Sequence, residues 1–450
     1  MASLIGAAHR QMRLRAPAAT GYLYAFLDLL NAAATPRIDV SPPDGSRPLA
    51  LVVINCGITV GGFGSRRVVE AQLASLRALG YRAEAVVVHM PGHLSLRVPD
   101  VARSGLDLDG LWEARYASDP RRPLAMGALL RPGDGGMPPP LERLLRVSDR
   151  VAVPPLLEAR LSARRPDVVI ANYVWNLPFA RRLSKGAPVI VETHDIQSLR
   201  DPEKTGLAQE IVALSSADMV IALNRDEAEI FARYLGREHV CLILPAMAGP
   251  PPASSCEETL SPDTPPTALF VGSRNRMNLR GLAWLVSEVW PLVRAAVPTA
   301  RLVLAGDAVR AAQAEGILAQ TAAQVDFAGR IQDLGDAYRR ASAVAVPVQE
   351  GTGISIKTIE AMTYGKAVVS TSPGLRGFPA DPAHPANDDA ESFAGRLAVL
   401  LSDPVARGQA ERLSQRIHAA AFAPAVHRAA WEAVLARLGC PRPQDAGALR

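Results

Sequence analysis

Residues 349–366 read QEGTGISIKTIEAMTYGK, a glycine-spaced loop running into a helical pattern that stops at Gly365. Glycines at 351 and 353 let backbone N–H groups approach an anion closely, and the helix that follows presents the positive end of its dipole. Lys357 near the helix start can add a point charge to a phosphate there. Glu360 shares its face three residues on and can accept hydrogen bonds from vicinal hydroxyls. Of 49 Lys plus Arg only four are Lys, at 185, 204, 357 and 366, so two of the four fall in this stretch. Cation beside phosphate and carboxylate beside hydroxyls is the chemistry of a nucleotide-sugar site. A solvated Lys/Glu pair contributing a few tenths of a kcal/mol fits the same residues, and the spacing alone leaves both open.

Three further clusters could do chemistry. In APVIVETHD, His194 and Asp195 follow an apolar run, where a His can donate to a phosphate or sugar oxygen and an adjacent carboxylate can orient it. In GITVGGFGS, the glycines at 61, 62 and 64 with Phe63 form a loop after the first apolar run. As a dinucleotide fingerprint it fails, because Arg67 occupies the third glycine place and the next strand ends at His89 instead of an acidic residue; a nicotinamide dehydrogenase is disfavoured. In GLDLDG, Asp107 and Asp109 imitate a D-x-D metal pair but follow no apolar strand, and they read as a solvated loop. No obligatory metal or cofactor is expected.

The elements that must position these residues are legible as alternating apolar runs and helical patterns. RPLALVVI, SRRVVEAQLASLRALG and AEAVVVHM form a βαβ unit, its helix bounded by Ser65 as N-cap and Gly80 as stop. After a Gly/Pro/Arg-rich interval come DVVIANYVW, APVIVETHD, ADMVIAL and HVCLILP, then a second series of TALFVGS, a helix from about Asn278, ARLVLAG, VDFAG, ASAVAVPV, the helix of the opening stretch, and KAVVST. Continuous apolar strands separated by helices imply parallel sheets covered on both faces. The reading is an α/β chain of two doubly wound, Rossmann-like domains. It divides into an N-terminal extension over 1–46, a first domain over 47–245, a Pro/Ser-rich linker over 246–266, a second domain over 267–422, and a final segment over 423–450 whose amphipathic helix returns to the first domain. Ligands of open parallel sheets sit outside the carboxyl ends of the strands, where all the candidates above lie except the D-x-D pair, and two such edges facing each other make an interdomain cleft.

At 450 residues with 48% hydrophobic and 5% aromatic content, the chain buries sizeable cores and is not disordered. The net charge of +5 is concentrated at Arg10, Arg13 and Arg15 and at Arg121, Arg122, Arg131, Arg143, Arg146 and Arg150. Such a bias suits a phosphorylated substrate or a membrane surface, or is a plain solvated face. Without aromatic interleaving it disfavours nucleic acid. Cys56, Cys241, Cys256 and Cys440 are scattered with no C-x-x-C, so neither zinc nor a disulfide framework is indicated, and a reducing cytoplasm is the simplest compartment. No run reaches about 18 apolar residues and no export signal is evident, although residues 8–34 combine early Arg with a later apolar stretch, as an interfacial anchor would.

The stretch EGTGISIKTIEAMTYGKAVV resembles the donor-binding signature of the family 4 glycosyltransferases, the group 1 enzymes of GT-B fold. It matches the branch written G-x-G-x-x-x-K-x-x-E-A-x-x-x-G-x-x-V-V at Gly351, Gly353, Lys357, Glu360, Ala361, Gly365, Val368 and Val369. FVGSRNRMNLRG is similar to the start of that family's donor domain, and RPDVVIANYVW with APVIVETHD to its acceptor domain, so the resemblance spans roughly residues 47–440. It implies a retaining transferase that moves a sugar from a nucleoside diphosphate (UDP, GDP or dTDP) to a glycan or lipid-linked acceptor, as in cell-surface glycan synthesis, at the inner face of the membrane or in the cytoplasm. It also implies site roles: Glu360 on the ribose, His194 with Asp195 near the donor sugar and its phosphate, and Gly61, Gly62, Phe63 and Gly64 facing the phosphates and acceptor. The donor loop comprises Glu350, Gly351, Thr352, Gly353 and Ile354. The family's usual first Glu falls on Thr352 when counted back from Glu360 and on Glu350 when the glycine loop is aligned. Where many members carry Arg and Lys after the first donor strand, this chain has Ser273 and Arg280, which leaves Arg280, Arg274 or Arg276 to supply diphosphate charge. A nucleotide-sugar epimerase and a non-catalytic nucleotide-sugar-binding protein are the alternative readings.

Overall fold

The computed structural model describes residues 47–55, 64–89, 106, 108–116, 141–200, 202, 205–249, 265–318, 325–329 and 334–441. The extension over 1–46, Gly61, Gly62 and Phe63 of the first glycine loop, most of the linker and the last nine residues lie outside them.

Two sheets carry the chain. The first has eight strands: β1 (Leu49–Asn55), β2 (Arg82–His89), β3 (Gly110–Tyr116), β4 (Val151–Ala152), β5 (Val168–Asn172), β6 (Val189–Glu192), β7 (Met219–Ala222) and β8 (Val240–Leu242), in spatial order 4-3-2-1-5-6-7-8. All its pairings are parallel except β3 with β4. The second has five parallel strands: β9 (Thr267–Val271), β10 (Arg301–Ala305), β11 (Val325–Gly329), β12 (Ala343–Val346) and β13 (Ala367–Ser370), in order 11-10-9-12-13. The central strands are buried on both faces, which is why they read as unbroken Val/Ile/Ala/Leu runs. In each sheet the order reverses beside the first strand, β1 or β9, and a crevice at the carboxyl edge follows from that topology.

The interval that carried no strand pattern in the sequence holds β3, the two-residue β4 and a helix over Leu141–Asp149. β3 is GLWEARY, in which Glu and Arg interrupt the apolar run, and its Trp112 Nε1 donates to the buried Glu84 at 2.8 Å. Asp109 is not a solvated loop residue: it receives the backbone N–H of Ala83 at 2.9 Å and pairs with Arg47 at 3.2 Å, tying the start of β2 to the chain entering β1.

Helix α1 (Gly64–Ala78) follows β1 and begins one residue before the sequence-assigned cap, with Ser65 inside its first turn. It ends before Gly80, whose φ of 85° suits glycine. The last helix, α5 in the numbering used below (Pro424–Arg437), leaves the second sheet and packs on α1. Trp431, Val434 and Leu435 join the core under β1 with Leu73, Leu76 and Tyr81. Trp431 is fully buried and its Nε1 donates to His427 Nε2 at 3.3 Å. Among the described residues no helix is long and apolar enough to cross a membrane. Trp431→Ala is expected to destabilise the first unit by about 3–5 kcal/mol through cavity formation, seen as a lowered urea midpoint; a shift under 1 kcal/mol counts against this packing.

Candidate active site between the two sheets

A cavity of about 500 Å³ lies where the carboxyl edges of the two sheets meet. On the second-sheet side, β9 gives way to Gly272 and Ser273, and helix α3 (Arg276–Trp284) is capped by Asn275, whose side chain accepts from Asn278 N at 2.7 Å. Gly306 (φ 99°) sits so close beneath this turn that a Cβ there would meet Gly272 O at 2.2 Å, so glycine is required. Asn278 Nδ2 donates to Ser273 O at 2.8 Å, which turns its Oδ1 toward the Lys357 ammonium.

Lys357 stands in the first turn of α4 (Ile356–Thr363), with its Nζ 5.9 Å from the centroid of the Phe270 ring. Burial lowers its pKa to about 8. Its hydrogen-bond partner is a neutral amide, and no carboxylate among the described residues pairs with it. Glu360, on the same helix, accepts from Tyr338 Oη at 3.1 Å through Oε2 and faces Arg67 Nη2 of α1 at 3.7 Å through Oε1. Burial raises its pKa and the Arg67 guanidinium opposes that rise.

In the loop before α4, Glu350 is held by the exposed Arg276 (3.3 Å) and Arg280 (3.1 Å). The hydroxyl of Thr352 is buried in the cavity wall without a hydrogen-bond partner. Gly351 has φ 137° and its carbonyl accepts from Arg376. Gly353 lies against Asp195 of the other domain, where a Cβ would fall 2.1 Å from Oδ1.

The first-sheet side is built from the ends of β5, β6 and β7. Tyr173 (φ 69°) and His194 (φ 63°) hold left-handed backbone conformations that non-glycine residues seldom adopt. Their rings stack at 4.4 Å, and Trp175 stacks on Tyr173 at the same separation. Burial lowers the His194 pKa to about 3, so the imidazole is neutral. Asp195 is pushed up to about 6 by burial, against the opposing charge of Arg200 at 3.3 Å. Glu227, on helix α2 (Arg225–Leu235), accepts from Leu223 N at 3.3 Å and leaves its other oxygen buried and unpartnered. Burial raises its pKa to about 8.

Of the sequence-assigned residues, His194, Asp195, Ser273, Glu350, Gly351, Thr352, Gly353, Ile354, Lys357, Glu360 and Gly64 all line this one cavity. Arg274 and Arg280 do not, nor does Arg276; the lining cations are Arg66, Arg67, Arg200 and Lys357. Sequence reasoning missed Arg67, Asn278, Tyr338 and Glu227. Glu227 had a signal, since Asn224-x-x-Glu227 has the spacing of a capping box at a helix start. Arg67 and Tyr338 had none, because their partner Glu360 is brought to them by the docking of α1 on α4 and by the strand order of the second sheet.

Two family models match. Residues 265–403 match the model described as "Glycosyl transferases group 1" and residues 63–246 match "Glycosyl transferase 4-like domain". The chain belongs to the group 1 glycosyltransferases of GT-B fold, and it is a glycosyltransferase. Among solved structures it is similar to Anabaena HepE in complex with UDP and glucose (14% identity, 87% of this chain and 100% of that one, TM-score 0.57). It is also similar to sucrose-phosphate synthase from Thermosynechococcus elongatus (16%, 87% and 99%, TM-score 0.61) and to the lipopolysaccharide outer core galactosyltransferase WaaB in its apo form (12%, 86% and 99%, TM-score 0.51). At these identities the likeness is one of fold. Comparison with curated protein sequences finds no match.

Gly353→Ala places a methyl group against Asp195 and is expected to part the loop from the other domain. Small-angle X-ray scattering of the variant should show a larger radius of gyration with unchanged far-ultraviolet circular dichroism. A scattering curve identical to wild type contradicts the contact.

Proposed function

We propose that the chain transfers a glycosyl group, with retention of configuration, from a nucleoside diphosphate sugar to an acceptor hydroxyl bound in the cleft. The observation that carries the reading is Lys357, a partly buried cation whose partner is an amide, one helical turn from a carboxylate that reaches a tyrosine. A diphosphate supplies the missing negative charge. Lys357, the loop amides and the α4 N-terminus stabilise the charge that develops on the departing phosphate. Glu360 receives the ribose hydroxyls and so fixes the donor. As the bond from the anomeric carbon to the diphosphate oxygen breaks, the acceptor oxygen bonds to that carbon on the same face, and the acceptor's proton passes to the departing phosphate oxygen. Family membership supports retention. No metal or other cofactor has a part in this scheme.

UDP sugars head the donor candidates, ahead of GDP and dTDP sugars, because one structural neighbour, Anabaena HepE, was solved both with UDP and glucose and with UDP-glucose. The likeness to a lipopolysaccharide galactosyltransferase supports a glycan or lipid-linked acceptor and a place in cell-surface polysaccharide synthesis. A cytoplasmic enzyme working at the inner face of the membrane is the setting that fits such an acceptor. The domain limits given above, with the linker over 246–266, belong to the same proposal.

Purified protein is expected to release nucleoside diphosphate from one of these donors when acceptor is present. Lys357→Ala should lower kcat/KM about 10²-fold, while Glu360→Ala should act mainly on donor KM. Wild-type turnover in both variants with unchanged donor affinity contradicts the site. An epimerised donor formed without acceptor favours the epimerase reading, and tight donor binding without transfer across a broad acceptor panel favours a binding protein.

A further inference from the structure

Beneath His194 runs a chain of buried polar side chains that none of the roles above uses. Gln72, Asn172 and Glu192 are fully buried, in the midst of strand and helix positions otherwise filled by Val, Ile, Leu and Ala. Asn172 and Glu192 face each other across the β5–β6 pairing, and Gln72 reaches them from α1. The contacts are His194 Nε2 to Asn172 Oδ1 at 2.7 Å, Asn172 Nδ2 to Gln72 Oε1 at 3.1 Å and Gln72 Nε2 to Glu192 Oε2 at 2.6 Å.

The direction of the chain is set at one point. Asn172 Nδ2 also lies 3.5 Å from the carbonyl oxygen of Val53, which can only accept. The amide must therefore turn its NH₂ group toward Val53 and Gln72 and its oxygen toward the imidazole. The hydrogen between Asn172 and His194 is then on Nε2, and in a neutral ring the lone pair is on Nδ1. The same logic continues outward: Gln72 gives its oxygen to Asn172 and its NH₂ group to Glu192. Stacking on Tyr173 holds the ring plane, and Nδ1 has no partner among the described residues, while the ring lines the cavity.

We propose that Glu192, Gln72 and Asn172 are positioning residues that lock His194 as the Nε2–H tautomer, so that it meets a substrate hydroxyl as a hydrogen-bond acceptor through Nδ1. The partner is thereby a sugar or acceptor hydroxyl, because an ionised diphosphate has no hydrogen to give. This assignment rests on the transferase reading and revises the simplest role of such a residue, donation to phosphate. Packing alone does not account for the network. Glu192 Oε1 is buried without a partner, and an apolar trio of similar volume would avoid that cost. Burial also raises the Glu192 pKa to about 8, which agrees with a carboxyl group shielded from solvent, and its Oε2 comes back to within 3.9 Å of His194 Nε2.

The test is ¹⁵N NMR of the full-length protein with labelled histidine, the His194 signals being assigned by their loss in His194→Gln. Wild type at pH 7 should show the Nε2–H pattern with an unprotonated Nδ1. Gln72→Leu should show mixed tautomers and a fall in kcat of about 10²-fold with donor KM little changed. Glu192→Gln, which keeps an acceptor oxygen, should recover the Nε2–H signature that Glu192→Leu loses. An Nδ1–H or doubly protonated ring in wild type overturns the proposal whatever the stability of the variants, as does Gln72→Leu with an unchanged tautomer. The spectrum needs no turnover, so failure to find any transfer reaction would sink the transferase reading while leaving the tautomer result standing.

Discussion

The site is organised around an ammonium group held in the cleft by an amide. A pKa near 8, against an ordinary 10.5 for lysine, corresponds to as much as about 3 kcal/mol by which the surroundings disfavour the charge. A carboxylate at Asn278 would remove that penalty and also the site's use, since an ion pair would compete with any incoming anion. The neutral amide instead orients Nζ and leaves its charge uncompensated. The turn at Ser273 that holds Asn278 and the glycine beneath that turn all serve this placement.

The two sheets meet through backbone and small contacts. Gly353 lies against Asp195, Gly64 against Ile356 and Gly377 against Asn224, each at a distance that a Cβ would crowd. The ion pairs across the cleft, Arg67 with Glu360 at 3.7 Å and Arg376 with Asp226 at 3.8 Å, are long and partly solvated, and pairs of that kind contribute about 1 kcal/mol or less. Such an interface closes with precise register and opens at small cost, as a cleft that admits a large donor and then excludes water requires. The return of α5 onto α1 holds the halves together at the other side.

Much of this was legible in the sequence. Doubly buried parallel strands announce themselves as apolar runs, so both Rossmann-like units, the strand ends bearing His194 and Ser273, and the helix start bearing Lys357 could be read directly. β3 and β4 were hidden because a strand that carries Glu113 and Arg115 has no apolar run, and because a two-residue strand is too short to have a pattern. Charge pairing was hidden too. Arg160 and Arg82 converge on Glu84, and Arg276 and Arg280 converge on Glu350. The competition between Glu350 and Thr352 takes a physical form: one is engaged by two arginines, and the other presents an unpartnered hydroxyl to the cavity wall.

The central claim is that Lys357 awaits an anion, and proton uptake on binding tests it most directly. At pH 8 about half of the free Lys357 is charged, and a bound nucleoside diphosphate raises its pKa, so binding draws a proton from solution. Calorimetric titration of UDP in buffers of different ionisation enthalpy should give an uptake approaching about half a proton at pH 8, fading below pH 7 where the lysine is already charged, and absent in Lys357→Met. Binding with no proton uptake at pH 8, or with the same uptake in Lys357→Met, would contradict the account.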